Sequence, residues 1–225
     1  MQVKLSQAVK MFFGNSSLEM VFFEAIANAL DAEANEITIS ITAKALNQPE
    51  TLQIEISDNG LGFTNERYNK FSKLFDVEES SHKGLGRLVY LCYFDDVKVI
   101  SNYDKVKVRE FDFNEGFKED NFKSSIVPET KSGTVFKMTS YVLQRIAKNE
   151  YVSADYLKSR ILQEFYSRLF HLKDNGQRVV ININTNIENH KKELILLNSD
   201  IPKFKTVELE SSVNLIDTFY LHYSI

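Results

Sequence analysis

Three polar side chains stand at helical spacing in an otherwise apolar stretch near the start of the chain. Glu24, Asn28 and Asp31 are the only strongly polar residues between Val21 and Ala32. At about 100° per residue, they fall within a sector roughly 60° wide on one face of a helix. Such a stripe fits the wall of a polar pocket, because an Asn between two acids adds little to a plain helix surface. The alternative is the solvent-facing edge of an amphipathic helix.

Two loops contain paired glycines and lie where elements end or begin. The loop Asp58-Asn59-Gly60-Leu61-Gly62 directly follows an alternating apolar run, and its glycines let the backbone turn sharply beside a ligand. The loop 80–87 precedes an apolar segment, so its backbone N–H groups are candidates for holding an anion, with Lys83 or Arg87 nearby. Both loops also fit ordinary turns, and the second matches neither the P-loop nor the dinucleotide fingerprint.

Local signals predict the elements that would position these loops. The tetrapeptide Ser16-Ser17-Leu18-Glu19 has the form of a capping box, and it predicts a helix from about 17 to 31. Two runs of strict apolar alternation, 37–41 and 52–56, predict two strands before the first loop. Thr64 is expected to cap a short helix that ends near Phe75.

Predicted strands and helices alternate along the rest of the chain. In order, we expect a buried helix at 87–94, a hairpin at 97–113, a surface loop at 114–131, a strand at 134–141, a helix at about 153–171 and a strand at about 179–183. The last forty residues read as further strands. The class is therefore α+β or α/β, with a substantial and mostly antiparallel sheet.

Composition excludes several classes of protein. The 225 residues carry a net charge of −4 and have no sustained basic run. Charge therefore does not indicate nucleic-acid binding by this domain, although further domains of a longer protein could supply it. A single cysteine, no signal peptide and no apolar run long enough for a bilayer predict a cytoplasmic protein without membrane contact.

In combination, the motifs are far more specific than each one alone. The ordered set is E-x-x-x-N-x-x-D-A, then D-x-G-x-G, then G-x-G at a helix start, then Gly133-Thr134. Over about residues 15–140 it resembles the GHKL ATPase superfamily, which contains DNA gyrase B, Hsp90, histidine kinases and MutL. The short loop 83–88 looks most like that of stand-alone bacterial Hsp90-like ATPases, and 153–186 is similar to the end of an Hsp90-type domain.

The resemblance implies an α+β fold of the Bergerat type. This is a two-layer α/β sandwich, in which helices on one face of a mostly antiparallel sheet carry the nucleotide site. Residues 1–190 would form the ATP-binding domain. Residues 191–225 would be either an extension of it or the start of a following domain.

The resemblance also implies a role for each motif residue. Glu24 would orient or deprotonate the attacking water, and Asn28 would bind Mg²⁺ between the ATP phosphates. Asp58 would accept the adenine amino hydrogen, and Thr134 would support the base. The other residues would shape the pocket or hold the phosphates beneath a lid at 76–86: Asp31, Gly60, Gly62, Lys83, Gly84, Leu85 and Gly86.

The family's subgroups differ at the position of Glu24. Histidine kinases generally replace this residue and phosphorylate a histidine on a preceding helical hairpin, where none of the four histidines lies: His82, His171, His190 and His222. We therefore predict a Mg²⁺-dependent ATPase, slow in isolation, that acts as a switch and binds ATP and ADP. Because the chain ends at Ile225, we expect a larger protein that dimerises with ATP and completes the site from another domain. The alternatives are a non-hydrolysing ATP sensor and, less favoured, a histidine-kinase-type phosphoryl donor.

Overall fold

A mixed eight-stranded sheet forms the frame of the protein. The computed structural model describes Val9 and residues 11–73, 85–208 and 220–224. The strands of the sheet are β1 (Glu36–Ala43), β2 (Gln53–Asp58), β3 (Phe94–Tyr103), β4 (Lys107–Phe113), β5 (Lys123–Ile126), β6 (Gly133–Tyr141), β7 (Val180–Ile187) and β8 (His190–Leu196). Their spatial order is β5-β4-β3-β6-β2-β1-β7-β8.

Strand pairing in this sheet is antiparallel with one exception. Strands β1 and β7 run parallel, with Ile37 opposite Ile181, and every other neighbouring pair is antiparallel. Two further strands, β9 (Phe204–Glu208) and β10 (Tyr220–Ser224), form a separate antiparallel pair. The predicted α+β class with a mostly antiparallel sheet is confirmed.

The helices hold the motif residues against the sheet. They are α1 (Glu19–Asp31), α2 (Asn65–Ser72), α3 (Tyr90–Tyr93), α4 (Ala154–Glu164) and α5 (Tyr166–Asp174), with 3₁₀ turns at Pro49–Thr51, Gly86–Val89, Asn149–Val152 and Asn198–Asp200. Helix α1 packs against the 3₁₀ turn Gly86–Val89 and against α4. No described helix combines the length and hydropathy that a bilayer crossing requires.

Alternating residues of the strands and one face of α1 build the core. Ile37, Ile39 and Ile41 of β1 are fully buried, as their alternation predicts. On α1, Phe22 and Ile26 are also fully buried, whereas Glu24 and Asn28 are half-buried. The polar stripe therefore lies at the border of the apolar core, where a polar pocket wall was expected.

The predicted capping box does not form. Helix α1 begins at Glu19, and Leu18 occupies the cap position without a side-chain cap. The Glu19 carboxylate instead accepts a hydrogen bond from the Tyr156 hydroxyl (2.8 Å) and forms an ion pair with Arg160 (3.1 Å). The Ser16 backbone N–H, which a capping box would pair with Glu19, instead donates to the Phe13 carbonyl at 2.9 Å.

Three other predicted elements differ from the structure. The predicted surface loop 114–131 includes the edge strand β5, which pairs with β4. The predicted helix 153–171 is two helices, because the backbone leaves helical geometry at Phe165. The predicted helix 87–94 is a 3₁₀ turn followed by the single turn of α3, and Phe94 already begins β3.

The remaining predictions concern α2, the predicted lid that follows it, and the C-terminal strands. The Thr64 cap is confirmed, since its hydroxyl oxygen accepts a hydrogen bond from the Arg67 backbone N–H (3.3 Å), and α2 ends at Ser72. Lys83 and Gly84, together with most of the predicted lid, lie outside the described residues. Strand β8 begins at His190 and pairs with β7, while the division of the chain into domains at that residue stays a prediction.

Candidate active site

Helix α1 presents Glu24 and Asn28 as a hydrogen-bonded pair. The Asn28 Nδ2 atom donates to Glu24 Oε1 at 2.9 Å, one helical turn away. This bond occupies an amide N–H and leaves the Asn28 carbonyl oxygen available as an acceptor. Asp31, the third residue of the stripe, is exposed and forms an ion pair with Arg168 (2.8 Å). The structure therefore joins the first two predicted residues and turns the third toward another partner.

The Glu24 carboxylate lies against the backbone of the second glycine loop. A Cβ atom added at Gly86 would collide with all three atoms of that carboxylate group. Burial raises the pKa of Glu24, while the Asn28 hydrogen bond and the charge of Arg87 act in the opposite direction. A carboxylate with a raised pKa is suited to take a proton near neutral pH.

Arg87 is buried, and its guanidinium is used for tertiary contacts rather than for an anion. Its Nη1 and Nη2 atoms donate to the backbone carbonyls of Lys70 (3.2 Å) and Lys73 (3.0 Å), at the end of α2. The group also lies 4.8 Å from the centre of the Phe71 ring. Burial lowers the pKa of Arg87 to about 10, and the nearby Glu24 partly restores it. Arg87 thus links α2 to the loop that covers Glu24.

Asp58 and Thr134 meet on neighbouring strands, as predicted. They are opposite each other in the β2–β6 pair. The Asp58 Oδ1 atom accepts the Gly60 backbone N–H at 2.8 Å, and the Thr134 hydroxyl lies 3.3 Å from that of Ser101. Burial raises the pKa of Asp58, and the backbone N–H groups of Gly60 and Thr134 oppose this shift. The carboxylate is therefore fixed by main-chain donors.

The loop after Asp58 is anchored to two elements. The Leu61 backbone N–H donates to the carbonyl of Ala32 at the end of α1 (2.8 Å), and the Phe63 N–H donates to the Ser101 hydroxyl on β3 (2.7 Å). Gly60 and Gly62 lie within this loop, so the structure places both next to Asp58. Because both anchors are main-chain donors of the loop, its course is fixed independently of a ligand.

Arg109 was missed by sequence reasoning, although it supports this loop. It is buried in β4 and donates to the carbonyls of Phe63 (2.6 Å) and Thr64 (3.1 Å). Its guanidinium also lies 4.5–4.9 Å from the centres of three rings: Tyr68, Tyr103 and Phe122. The burial of Arg109 could have been predicted from the sequence, because it alternates with Phe111 and Phe113 on the inward face of β4.

Tyr90 was read only as part of a buried helix, yet it lies between the two groups of motif residues. It is fully buried, with its ring 5.6 Å from that of Phe136 on β6. Its hydroxyl has no hydrogen-bond partner among the described residues. Burial raises the pKa of this hydroxyl, and the charges of Glu24 and Asp58 act in the same direction. The hydrogen bond from Leu61 to Ala32 connects the loop after Asp58 to the end of the helix that carries Glu24 and Asn28.

The oxygen ligands near Asn28 suit a cation that keeps most of its hydration shell. Within the described part of the chain, no group of three His, Cys, Asp or Glu residues could hold a metal ion. Asn28 offers one hard oxygen beside the Glu24 carboxylate. Mg²⁺ accepts such a site, because it retains several waters and takes further oxygens from substrate phosphates. Leu85, half-buried, directly precedes the Gly86–Val89 turn at this point.

Comparison with known proteins identifies the class. A family model described as histidine kinase-, DNA gyrase B- and HSP90-like ATPase matches residues 14–140. The chain belongs to this family, and it is an ATP-binding ATPase domain with a Bergerat-type fold. The match spans both carboxylates, both glycine loops and Thr134.

Solved structures show the same fold at low sequence identity. The N-terminal domain of a DNA repair protein is 15% identical, with a TM-score of 0.56 over 92% of this chain and 64% of that chain. The ATP-binding domain of topoisomerase IV from Francisella tularensis is 16% identical, with a TM-score of 0.52 over 84% of this chain and 92% of that one. The chain thus spans less than two thirds of the DNA repair domain. The curated proteins include none that the sequence matches.

Proposed function

We propose that this chain is a Mg²⁺-dependent switch domain that binds and hydrolyses ATP, with Glu24 as its general base. One observation supports the proposal: Glu24 and Asn28 form a hydrogen-bonded pair on α1, and the loop that follows Asp58 is hydrogen-bonded to Ala32 at the end of the same helix. The pair on α1 is suited to phosphate chemistry, and Asp58 with Thr134 to base recognition.

On the phosphate side, the proposed roles follow from the available atoms. The Asn28 carbonyl oxygen would ligate Mg²⁺, which when bound supplies positive charge that neutralises the phosphates. Glu24, whose pKa is raised by burial, would accept a proton from the attacking water. The backbone of Leu85 and Gly86 would supply N–H donors to the phosphates, with Lys83 and Gly84 as proposed neighbours.

On the adenine side, Asp58 would accept a hydrogen from the exocyclic amine. Guanine presents a carbonyl oxygen at that place, so a charged carboxylate would repel it. The Gly60 N–H holds one carboxylate oxygen in place, which limits the positions the other can take. Thr134 lies opposite on β6 and would support the base, and Gly60 and Gly62 would leave room for it.

We further propose that the nucleotide acts as a switch in a larger protein. ATP would close the lid and promote a homodimer, in which another domain adds a cationic side chain to the site. The Hsp90-like subtype rests on the loop 83–88 and on the similarity of 153–186 to the end of an Hsp90-type domain. DNA contact, suggested by the names of the two similar structures, would belong to other parts of such a protein.

Substitution of Glu24 tests the catalytic proposal. We expect Glu24→Gln to lower the rate of phosphate release from MgATP at least about 100-fold, while the affinity for ADP changes less than threefold. Glu19→Gln is the matched control, because Glu19 is on the same helix but pairs with Arg160 outside the site. It should lower the melting temperature and leave turnover of the folded protein unchanged.

Other outcomes of that experiment would decide against the proposal. Loss of ADP binding in the Glu24→Gln variant would give Glu24 a binding role instead. Wild-type protein that binds MgATP but releases no phosphate in a single-turnover assay would be a non-hydrolysing sensor. Transfer of radiolabel to a partner protein would indicate a phosphoryl donor.

A further inference from the structure

A cavity of about 830 Å³ lies beside α3, outside the candidate active site. Its walls come from the segment before α1, from α3 and the start of β3, from the loop after β4 and from the two residues after β6. Among its described lining residues, none is assigned above to the nucleotide. Most of the wall is apolar, with Phe13, Leu91 and Phe94 among the larger side chains. This size and this lining are typical of sites for small organic molecules.

Two large apolar side chains extend this surface to the mouth of the cavity. Val142 and Leu143 directly follow β6 and line the cavity, yet they are 40% and 42% exposed. The Val142 backbone N–H donates to the Tyr93 carbonyl at 3.0 Å, so the pair is held beside α3. An apolar surface that continues from a cavity into solvent indicates that an apolar group covers it.

The charges at the cavity have one sign. Asp95 and Glu115 are the charged residues of its described lining, and both are exposed. Neither forms an ion pair within the described part of the chain, whereas the adjacent Asp96 accepts a hydrogen bond from the Ser140 hydroxyl (2.6 Å). Two unpaired carboxylates at an apolar cavity attract a cation and repel an anion.

We propose that this cavity is a second ligand site, which binds a small organic cation with an apolar body. The body fills the apolar part of the cavity, and an ammonium head group lies at Asp95 and Glu115. The combination selects the class of ligand, because a bare metal ion gains nothing from apolar walls and an apolar acid is repelled by the two carboxylates. The inference is independent of the proposed ATPase function, since the two sites share no described residue.

Cys92 reports whether the cavity is occupied. It is the only cysteine of the chain, and it lines the cavity. Burial raises the pKa of its thiol, so its alkylation by iodoacetamide is slow and easily timed. The test compares three compounds of one shape at about pH 8, where their charges differ: phenylpropylamine, phenylpropanol and phenylpropanoate. We expect the amine to protect Cys92 at the lowest concentration, the alcohol to need about threefold more and the acid about tenfold more.

Charge substitutions test the head group. Asp95→Asn and Glu115→Gln should each weaken protection by the amine about threefold and leave protection by the alcohol unchanged. Asp96→Asn is the matched control, because Asp96 is the next residue along β3 but does not line the cavity. It should change none of the three protection curves.

An apolar substitution tests the body. Leu143→Ala should weaken protection by all three compounds to a similar extent, about threefold, because it removes an apolar contact that they share. Ile126→Ala is the control, since Ile126 is 83% exposed on β5 and is not a lining residue.

Two results would overturn the inference. If the amine at about 10 mM does not protect Cys92, the cavity is not a site for this class of ligand. If the three compounds protect equally, or if Asp96→Asn acts as strongly as Asp95→Asn, the two carboxylates do not select the ligand. ADP binding and phosphate release are measured separately, so either result leaves the proposed ATPase function untouched.

Discussion

The two halves of the site hold their carboxylates in different ways. On the adenine side, Asp58 is held by a main-chain N–H of Gly60, and Thr134 is fixed by the pairing of two strands. On the phosphate side, Glu24 is held by side chains, with Asn28 at 2.9 Å and the charge of Arg87 nearby. Burial raises the pKa of both carboxylates, so the difference lies in their support.

This difference fits two distinct tasks. A carboxylate fixed by the backbone can move only with the sheet, which favours recognition of one base in one position. A carboxylate held by side chains can change partners without unfolding an element. The phosphate side must do so, because a general base exchanges partners with water and product during each cycle.

The two ends of α2 repeat the contrast. At its start, Arg109 donates to main-chain carbonyls and is enclosed by three aromatic rings. At its end, Arg87 donates to two carbonyls, contacts one ring and interacts electrostatically with Glu24. The first arginine therefore belongs to the rigid adenine side, and the second belongs to the phosphate side, where it joins α2 to the loop over Glu24.

Glycine substitutions should give the largest difference in stability between the two halves of the site. Gly133 has φ +156°, and an added Cβ would collide with the Asp58 backbone oxygen. At Gly86 the collision is with the Glu24 side chain. We expect Gly133→Ala to lower the free energy of unfolding by about 3 kcal/mol, and Gly86→Ala by about 1 kcal/mol or less. Urea denaturation would measure both.

ATP hydrolysis should respond differently from stability, because the substitution that destabilises the protein less, Gly86→Ala, lies closer to the general base. Gly86→Ala displaces the general base, so phosphate release should fall at least about tenfold in a protein that remains folded. If Gly86→Ala proves as unstable as Gly133→Ala, the phosphate side is as rigid as the adenine side. The proposed distinction between the halves would then be wrong.

Arginine substitutions should give the next largest effect. Arg109→Met leaves the carbonyls of the half-buried residues Phe63 and Thr64 and the Asn65 amide oxygen without their donor, and we expect a loss of about 3 kcal/mol in the free energy of unfolding. Arg87→Met should cost about 1 kcal/mol, because the residues whose carbonyls it binds, Lys70 and Lys73, are exposed to water. Thermal and urea unfolding would measure both variants, and equal losses of stability in Arg109→Met and Arg87→Met would contradict the contrast between the two halves of the site.

Base discrimination should change by a smaller amount. We expect Asp58→Asn to weaken ADP binding about tenfold and to narrow the difference between ADP and GDP, since the amide can donate to the guanine carbonyl. Asp31→Asn is the control, because Asp31 pairs with Arg168 instead of lying beside Asp58. Equal ADP and GDP affinities in the wild type would remove the adenine assignment.

Residue pairs with local spacing could be predicted from the sequence. Glu24 and Asn28 follow from helical periodicity, and the sheet class followed from alternation. These features depend on short-range geometry, which a single sequence contains. Asp58 and Thr134 were identified instead by the resemblance of the ordered motifs to a known family.

The supporting residues could not be predicted in the same way. Arg87 and Arg109 act through partners that are distant in the chain, such as the Phe63 carbonyl 46 residues from Arg109. The capping box failed for the same reason, since Glu19 found Arg160, 141 residues away. Tertiary partners of buried charges are set by packing, which motif spacing does not encode.

A pH titration should give the smallest effect and addresses the adenine side alone. Asp58 must be ionised to accept from the adenine amine, and burial raises its pKa above that of an ordinary aspartate. ADP affinity should therefore be greatest above this pKa and decline as the pH falls from neutrality through it. Asp58→Asn corrects for titration of the phosphates, because its amide has no proton to gain in this range. If wild type and Asp58→Asn lose affinity in parallel, the Asp58 carboxylate is not the group that reads adenine, and the backbone-held half of the site has another task.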